Sequence, residues 1–204
     1  MRILTAAEMR AAEEAAVAAG TSFETLMENA GRAAAEEIAR LAAARGLEKS
    51  MLLLCGKGNN AGDAFVVARL LAARGWRAQV LLLCGEKMSA LARLNWQRLP
   101  PSVEKAMPCT ANFGVGVLVD GVFGTGFSGR LPPGVQRVFT QANAADAARV
   151  ALDLPSGLDC DSGAVAPDTF CAALTVTFGA YKPGLVLPQN APVVGEVKCV
   201  DIGL

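Results

Sequence analysis

The 204-residue sequence contains no histidine and a single tyrosine, Tyr181. Without an imidazole, zinc catalysis and His-dependent nucleophile triads have no ready candidate. Nineteen basic side chains balance nineteen acidic ones, so no overall field draws nucleic acid or an anionic membrane surface. No apolar run approaches the roughly 20 residues that span a bilayer, and the opening MRILTAAEMRAAEEAA lacks an uninterrupted apolar segment of signal-peptide type. A soluble, cytoplasmic protein is expected. The six cysteines, at positions 55, 84, 109, 160, 171 and 199, include no C-x-x-C pair. Several sit inside apolar runs, as buried free thiols would. No internal repeat, linker or low-complexity segment divides the chain, and its length suits one domain over residues 1–204.

What the chain does contain is four glycine-punctuated polar loops, each directly after an apolar run: GKGNNAGD (56–63), DGVFGTGFSGR (120–130), DLPSGLDCDSG (153–163) and TFGAYKPG (177–184). Thr5 followed three residues later by Glu8 predicts a capping box opening an alanine-rich helix that Gly20 ends. A second helix is expected from near Ser22 to Gly46, on the helical spacing of Leu26, Ala30, Ala33, Ala34, Ile38 and Leu41. Strands are then expected at 51–55, 78–84, 115–120, 149–153, 174–178 and 196–202, alternating with helices at 62–74, at 88–98 and from the Pro132-Pro133 pair. Short, almost wholly apolar strands separated by helices imply an α/β fold with a parallel sheet covered on both faces. All four loops would then gather at one edge, where open α/β sheets bind ligands and where helix N-termini receive anions.

The loops carry specific chemistry. In the first, Gly56 and Gly58 allow a tight turn, Asn59 and Asn60 offer amides, and Asp63 falls in the first turn of the next helix; a plain strand-to-helix turn would also use glycine and an Asx cap. The loop lacks the Lys-Ser/Thr ending of a Walker A motif. GTGFSGR adds Gly124, Gly126 and Gly129, the hydroxyls of Thr125 and Ser128, and Arg130 as a fork donor for phosphate. Asp120 and Asp153 end two buried strands, where a carboxylate is costly unless a cation or several donors meet it; helix capping is the plainer reading of Asp120. Two carboxylates, an asparagine amide and the Ser156 hydroxyl are hard oxygen ligands, better suited to an alkali or alkaline-earth ion than to zinc. Lys182 lies at the same edge, between a solvated surface role and a functional one.

Taken in order, TAAEM with LMENAG, GKGNNAGDAFVVARLL, VDGVFGTGFSGRLP, ALDLPSGLDCDSG and LTVTFGAYKPGL resemble the NAD(P)HX epimerase family, also called the YjeF N-terminal domain family. The resemblance implies a three-layer αβα, Rossmann-like sandwich with a mainly parallel sheet and two leading N-terminal helices. It implies interconversion of the R and S epimers at C6 of NADHX and NADPHX, with an ADP- or ATP-dependent dehydratase as functional partner. By motif position, Asn59, Asn60, Ala61, Gly62, Asp63, Gly124, Thr125, Gly126, Phe127, Ser128, Gly129, Arg130 and Asp153 would contact the hydrated dinucleotide. Asn60, Asp120 and Ser156 would bind one potassium ion per subunit, and Asp153 with Lys182 would be catalytic.

Ala61 and Ala64 depart from the family's usual glycines, which bears on ligand affinity more than on fold. The chain ends at DIGL, where many relatives continue into a dehydratase domain, so it is read as a stand-alone epimerase or as one separated from that domain. A non-catalytic nucleotide-binding or protein-docking module with the same fold is the alternative function. The alanine-rich faces of the leading helices make a homodimer the expected assembly.

Overall fold

The computed structural model of the chain describes residues 2–85 and 87–204. Two helices lead. Helix α1 (Ala6–Ala18) starts at Thr5, whose side chain accepts from the Glu8 amide while Glu8 accepts from the Thr5 amide. Helix α2 (Phe23–Arg45) is capped by Ser22 and stopped by Gly46 in the left-handed region. The remainder alternates: β1 (Ser50–Cys55), α3 (Asn59–Ala72), β2 (Arg77–Leu82), α4 (Ala90–Gln97), β3 (Val103–Ala106), β4 (Val117–Gly121), α5 (Pro133–Ala144), β5 (Ala148–Leu152), β6 (Leu174–Phe178), two single-turn helices α6 (Pro183–Val186) and α7 (Ala191–Val194), and β7 (Glu196–Val200).

The seven strands form one sheet in the order β3-β2-β1-β4-β5-β6-β7, and every pairing is parallel. The order runs outward in one direction from β1 through β3 and in the other from β4 through β7. The reversal point lies between β1 and β4, which is where such sheets open a crevice at their carboxyl ends.

Alternation along the central strands sends side chains into two apolar layers. Met51, Leu53 and Cys55 of β1 pack with α2, α3 and α4, joined by Val117 and Val119 of β4. Leu52, Leu54 and Leu118 pack on the other side against Val135, Val138 and Phe139 of α5 and against Phe170. The result is a three-layer αβα sandwich, and the outward alanines of α1, among them Ala7, Ala11 and Ala15, remain exposed.

Three differences from the sequence reading have physical causes. Strand β3 was not expected: its VEKA sequence is short and pairs only with β2 at the sheet edge, so Glu104 and Lys105 face solvent and no apolar run announces it. Helix α3 begins at Asn59 rather than near residue 62, because the first-turn amides need no intrahelical partner and both asparagine side chains are held from outside the helix. Asp63 therefore stands in the second turn. Strand β5 ends at Leu152, leaving Asp153 just beyond it.

Ala61 and Ala64 lie on α3, fully buried in the apolar layer. A Cβ placed on Gly121 of β4 would meet the Ala64 Cβ at 2.6 Å and the Asn60 carbonyl at 3.1 Å, so the helix rides against the strand at a point where one methyl fits and two do not. Gly121→Ala should cost about 1–3 kcal/mol by overpacking. Adding Ala64→Gly should recover part of that loss, giving a favourable coupling of roughly 0.5–3 kcal/mol in urea unfolding. Additive losses would show that the contact is not tight.

Candidate active site

The loops after β1, β4, β5 and β6 come together over four neighbouring strands. Those after β1, β4 and β5, with Phe178 at the end of β6, border a cavity of about 360 Å³, within the range of small-molecule sites. Its walls bring together Asn59, Asn60 and Asp63 of α3, Gly124, Thr125, Gly126 and Phe127 of the loop after β4, and Asp153. Ala61, Gly62, Ser128, Gly129 and Arg130 are not part of that wall. Ala61 and Gly62 are buried inside α3, and Ser128, Gly129 and Arg130 are exposed on the outer surface of their loop.

Asp153 is the pivot of the cavity floor. Its φ of 64° is unusual for a residue with a side chain, and the Leu154 amide donates to the Leu152 carbonyl across it at 2.8 Å. Such a tight turn stores on the order of 1–3 kcal/mol. One carboxylate oxygen, Oδ1, accepts from Lys182 Nζ at 2.5 Å and from Thr177 Oγ1 at 3.3 Å. The other, Oδ2, lies 3.2 Å from where a Cβ on Gly124 would stand, so that glycine leaves the carboxylate room.

Lys182 is 0% exposed, which replaces the solvated-surface reading. Its Nζ also donates to Thr177 Oγ1 and to the Phe178 carbonyl, each at 2.8 Å, so all three protons are engaged. It stands behind Asp153 and outside the cavity wall, where it positions the carboxylate.

Asp120 and Ser156 form a second buried group beside the first. The Asp120 carboxylate accepts from the Ser156 amide and hydroxyl, both at 2.7 Å, and from the Val122 amide at 3.0 Å. It caps no helix. Ser156 Oγ accepts from the Phe123 amide at 2.8 Å, and Asn60 Nδ2 donates to the Phe123 carbonyl at 2.9 Å. Asn60 and Ser156 thus converge on Phe123, and Asp120 joins them through Ser156.

A potassium ion fits this corner on three observations. Asn60 Oδ1 is buried without a hydrogen-bond partner, the donor set is oxygen only, and it contributes a single carboxylate, enough to neutralise one positive charge. No group of three His, Cys, Asp or Glu side chains suited to a metal occurs among the described residues.

Several cavity residues escaped the sequence reading. Met9 and Glu13, one turn apart on α1, line the cavity together with Phe23, Lys57, Phe178 and Ile202. Alpha-helical spacing put Met9 and Glu13 on one face, but nothing in the sequence said that α1 lies over the sheet edge. It is held there by backbone bonds between residues 2–4 and Tyr181 and by the Ala6 amide donating to Asp161 Oδ1 at 2.8 Å. Burial raises the carboxyls of Asp63 and Glu13, and the charge of Asp153 raises both further.

Burial also pushes the Asp120 carboxyl up to about 7, against its three hydrogen bonds. The folded state therefore holds this proton more tightly than the unfolded chain, whose carboxyl titrates near 3.8. The associated stability is complete below that lower value and is lost as pH rises through about 7, a span worth on the order of 4 kcal/mol. In potassium-free buffer the unfolding midpoint should fall between about pH 5 and pH 8, and Asp120→Asn should remove much of that slope. An unchanged slope would place the proton elsewhere.

A family model described as YjeF-related protein N-terminus matches residues 23–184. The NAD(P)H-hydrate epimerase of Rhodopirellula baltica is 38% identical over 191 residues, covering 88% of this chain and 75% of that relative. That of Elusimicrobium minutum is 30% identical over 217 residues, covering 100% of this chain and 96% of the relative. The bifunctional NAD(P)H-hydrate repair enzyme Nnr of Pyrobaculum aerophilum is 38% identical over the whole chain, which spans only 42% of that protein's length. The crystal structure of the yeast protein YNL200c superposes with a TM-score of 0.80 at 20% identity, covering 98% of this chain and 88% of that one, a likeness of fold. With its matched segment running from the start of α2 to α6, the chain belongs to the YjeF-related protein N-terminus family.

Proposed function

We propose that this chain is an NAD(P)H-hydrate epimerase that interconverts the R and S forms of NADHX and NADPHX. The observation that carries the reading is the cavity at the sheet's reversal point, floored by a carboxylate locked to a buried lysine. Family membership and two relatives named NAD(P)H-hydrate epimerase support it.

The reacting carbon carries a hydroxyl next to the ring nitrogen, so the nitrogen lone pair can expel the oxygen and leave a planar iminium to which water returns. Asp153, fixed by Lys182 and Thr177, offsets the developing positive charge and exchanges a proton with the oxygen on the face it meets. Gly58, Asn59 and Lys57 bring the α3 N-terminus and a cation to the cavity, a natural seat for the pyrophosphate. Phe123 and Phe127, with ring centroids 5.4 Å apart, supply an apolar wall.

Asn60, Asp120 and Ser156 would hold the potassium ion, whose charge would keep Asp120 ionised and brace the loop after β4. A dehydratase specific for the S epimer is the functional partner, an activity to which the bifunctional relatives' repair-enzyme names are suited. Action in the cytoplasm completes the proposal.

Incubation with mixed NADHX epimers and a separate S-specific dehydratase should consume the R form faster than it epimerises unaided. Asp153→Asn should lower that rate by roughly 10²–10⁴-fold. Consumption at the unaided rate by the unaltered protein would refute the function.

Potassium should raise the unfolding midpoint over sodium or choline at matched ionic strength. The gain should approach roughly 2.7 kcal/mol at a hundred times the dissociation constant and be larger near pH 8 than near pH 5, because only the ionised Asp120 attracts the ion. Asn60→Ala should abolish the gain; a gain insensitive to that change would remove the ion from this corner.

A further inference from the structure

The inference rests on the epimerase reading. Inversion through a planar cation needs proton transfer on both faces of the ring: the oxygen leaving one face must gain a proton, and the water arriving on the other must lose one. Asp153 cannot serve both, because Lys182 and Thr177 pin its carboxylate to the cavity floor.

The cavity holds two further carboxylates, Asp63 from α3 and Glu13 from α1. No hydrogen bond or ion pair among the described residues engages either one. An acid with no structural partner, turned into a cavity, is available to a ligand. The two differ in access. Asp63 is 8% exposed and sunk in the wall, whereas Glu13 is half-buried. A residue that must exchange its proton with solvent between turnovers needs the second condition. Glu13 also comes from an element other than the sheet edge that carries Asp153, and its helix is anchored by the Thr5–Glu8 capping box and the Ala6–Asp161 hydrogen bond.

We propose that Glu13 is a second catalytic residue, exchanging a proton with the oxygen on the ring face that Asp153 does not meet. In one direction the Glu13 carboxylic acid protonates the hydroxyl and the C–O bond electrons leave with the oxygen as water, while the nitrogen lone pair forms the C=N bond. A water oxygen then forms the new C–O bond on the opposite face as the C=N pair returns to nitrogen, and its proton goes to the Asp153 carboxylate. The reverse reaction exchanges the two roles. The net change is one proton moved between carboxyl groups, which solvent restores, and nothing is oxidised or reduced.

The charges facing Glu13 suit this work. Burial and Asp153 push its carboxyl up, while Lys182 and Arg10 pull it down and Glu14 adds a smaller upward push. Asp63 shares the same cavity, and the charge of Glu13 contributes to its raised carboxyl.

The test compares the unaltered protein with Glu13→Gln on separated NADHX epimers in ¹⁸O-water, with spontaneous epimerisation subtracted. The variant should interconvert epimers about 10²-fold or more slowly. Label exchange without inversion should survive for the one epimer whose hydroxyl faces Asp153, and Glu13→Asp should restore part of the inversion. An unchanged unfolding midpoint and KM would accompany these effects. Inversion by Glu13→Gln at the unaltered rate, or equal loss of exchange and inversion for both epimers, would overturn the proposal. Inactivity of the unaltered protein would instead refute the epimerase reading.

Discussion

The contact on which the site depends is the one between Lys182 and Asp153. An ammonium with no exposure to solvent is tolerable only where its protons meet acceptors and its charge meets a counter-charge. Here the three acceptors are the Asp153 carboxylate, the Thr177 hydroxyl and the Phe178 carbonyl. Two belong to β6 and the third follows β5, so the lysine ties together the carboxyl ends of adjacent strands. It also holds Asp153 in a backbone conformation that a non-glycine residue adopts at a cost. Removing either partner would leave the other buried without compensation, so fold and chemistry draw on the same contact.

The neighbouring strand end solves the same problem differently. Asp120, near the end of β4, is more deeply buried than Asp153 and has no lysine; it has three hydrogen bonds from Ser156 and Val122. These do not offset its desolvation, and its carboxyl rises to about 7. One aspartate thus carries a built-in cation and the other sits beside an unpartnered Asn60 oxygen. The position that lacks protein cationic charge is the one whose surroundings suit an added ion. The Phe123 peptide, held by both Asn60 and Ser156, passes any ordering of that corner into the Gly124–Gly126 segment of the cavity wall.

Most of this frame was legible in the sequence because it rests on local rules. The Thr5–Glu8 capping box, the Gly46 stop and the apolar strands each announce themselves over a few residues, and parallel pairing follows from strands buried on both faces. Convergence of Asn60, Asp120, Ser156 and Asp153 also followed, since Asp120 and Asp153 stand at strand ends, Asn60 opens α3 and Ser156 lies in the loop just after Asp153. What was not legible is long-range or weakly patterned. Strand β3 has no apolar run because it is an edge. Lys182 reads equally as a surface or a functional residue until its three acceptors are seen. Glu13 reads as one more charge on an alanine-rich helix until residues 2–4 are found bonded to Tyr181, some 178 positions away. Arg130 has the right chemistry for phosphate and is exposed, outside the cavity wall.

The distribution of charge around the cavity gives the proposed substrate an orientation. Lys57 is the one cationic side chain among the described residues of the wall, and it sits beside the α3 N-terminus. Glu13, Asp63 and Asp153 supply the acidic groups. A ligand with an anionic pyrophosphate at one end and a ring that becomes cationic at the other is therefore drawn in one sense, phosphates toward Lys57 and ring toward the carboxylates. The reversed pose would set phosphate against three acids. The same carboxylates favour the iminium over the neutral hydrate, so the field that orients the ligand also lowers the barrier. Lys182 does not cancel this effect, because its charge is already committed to Asp153. Burial, and then the charge of Asp153, raise the Asp63 and Glu13 carboxyls, so groups suited to proton exchange share the cavity with Asp153 without any histidine.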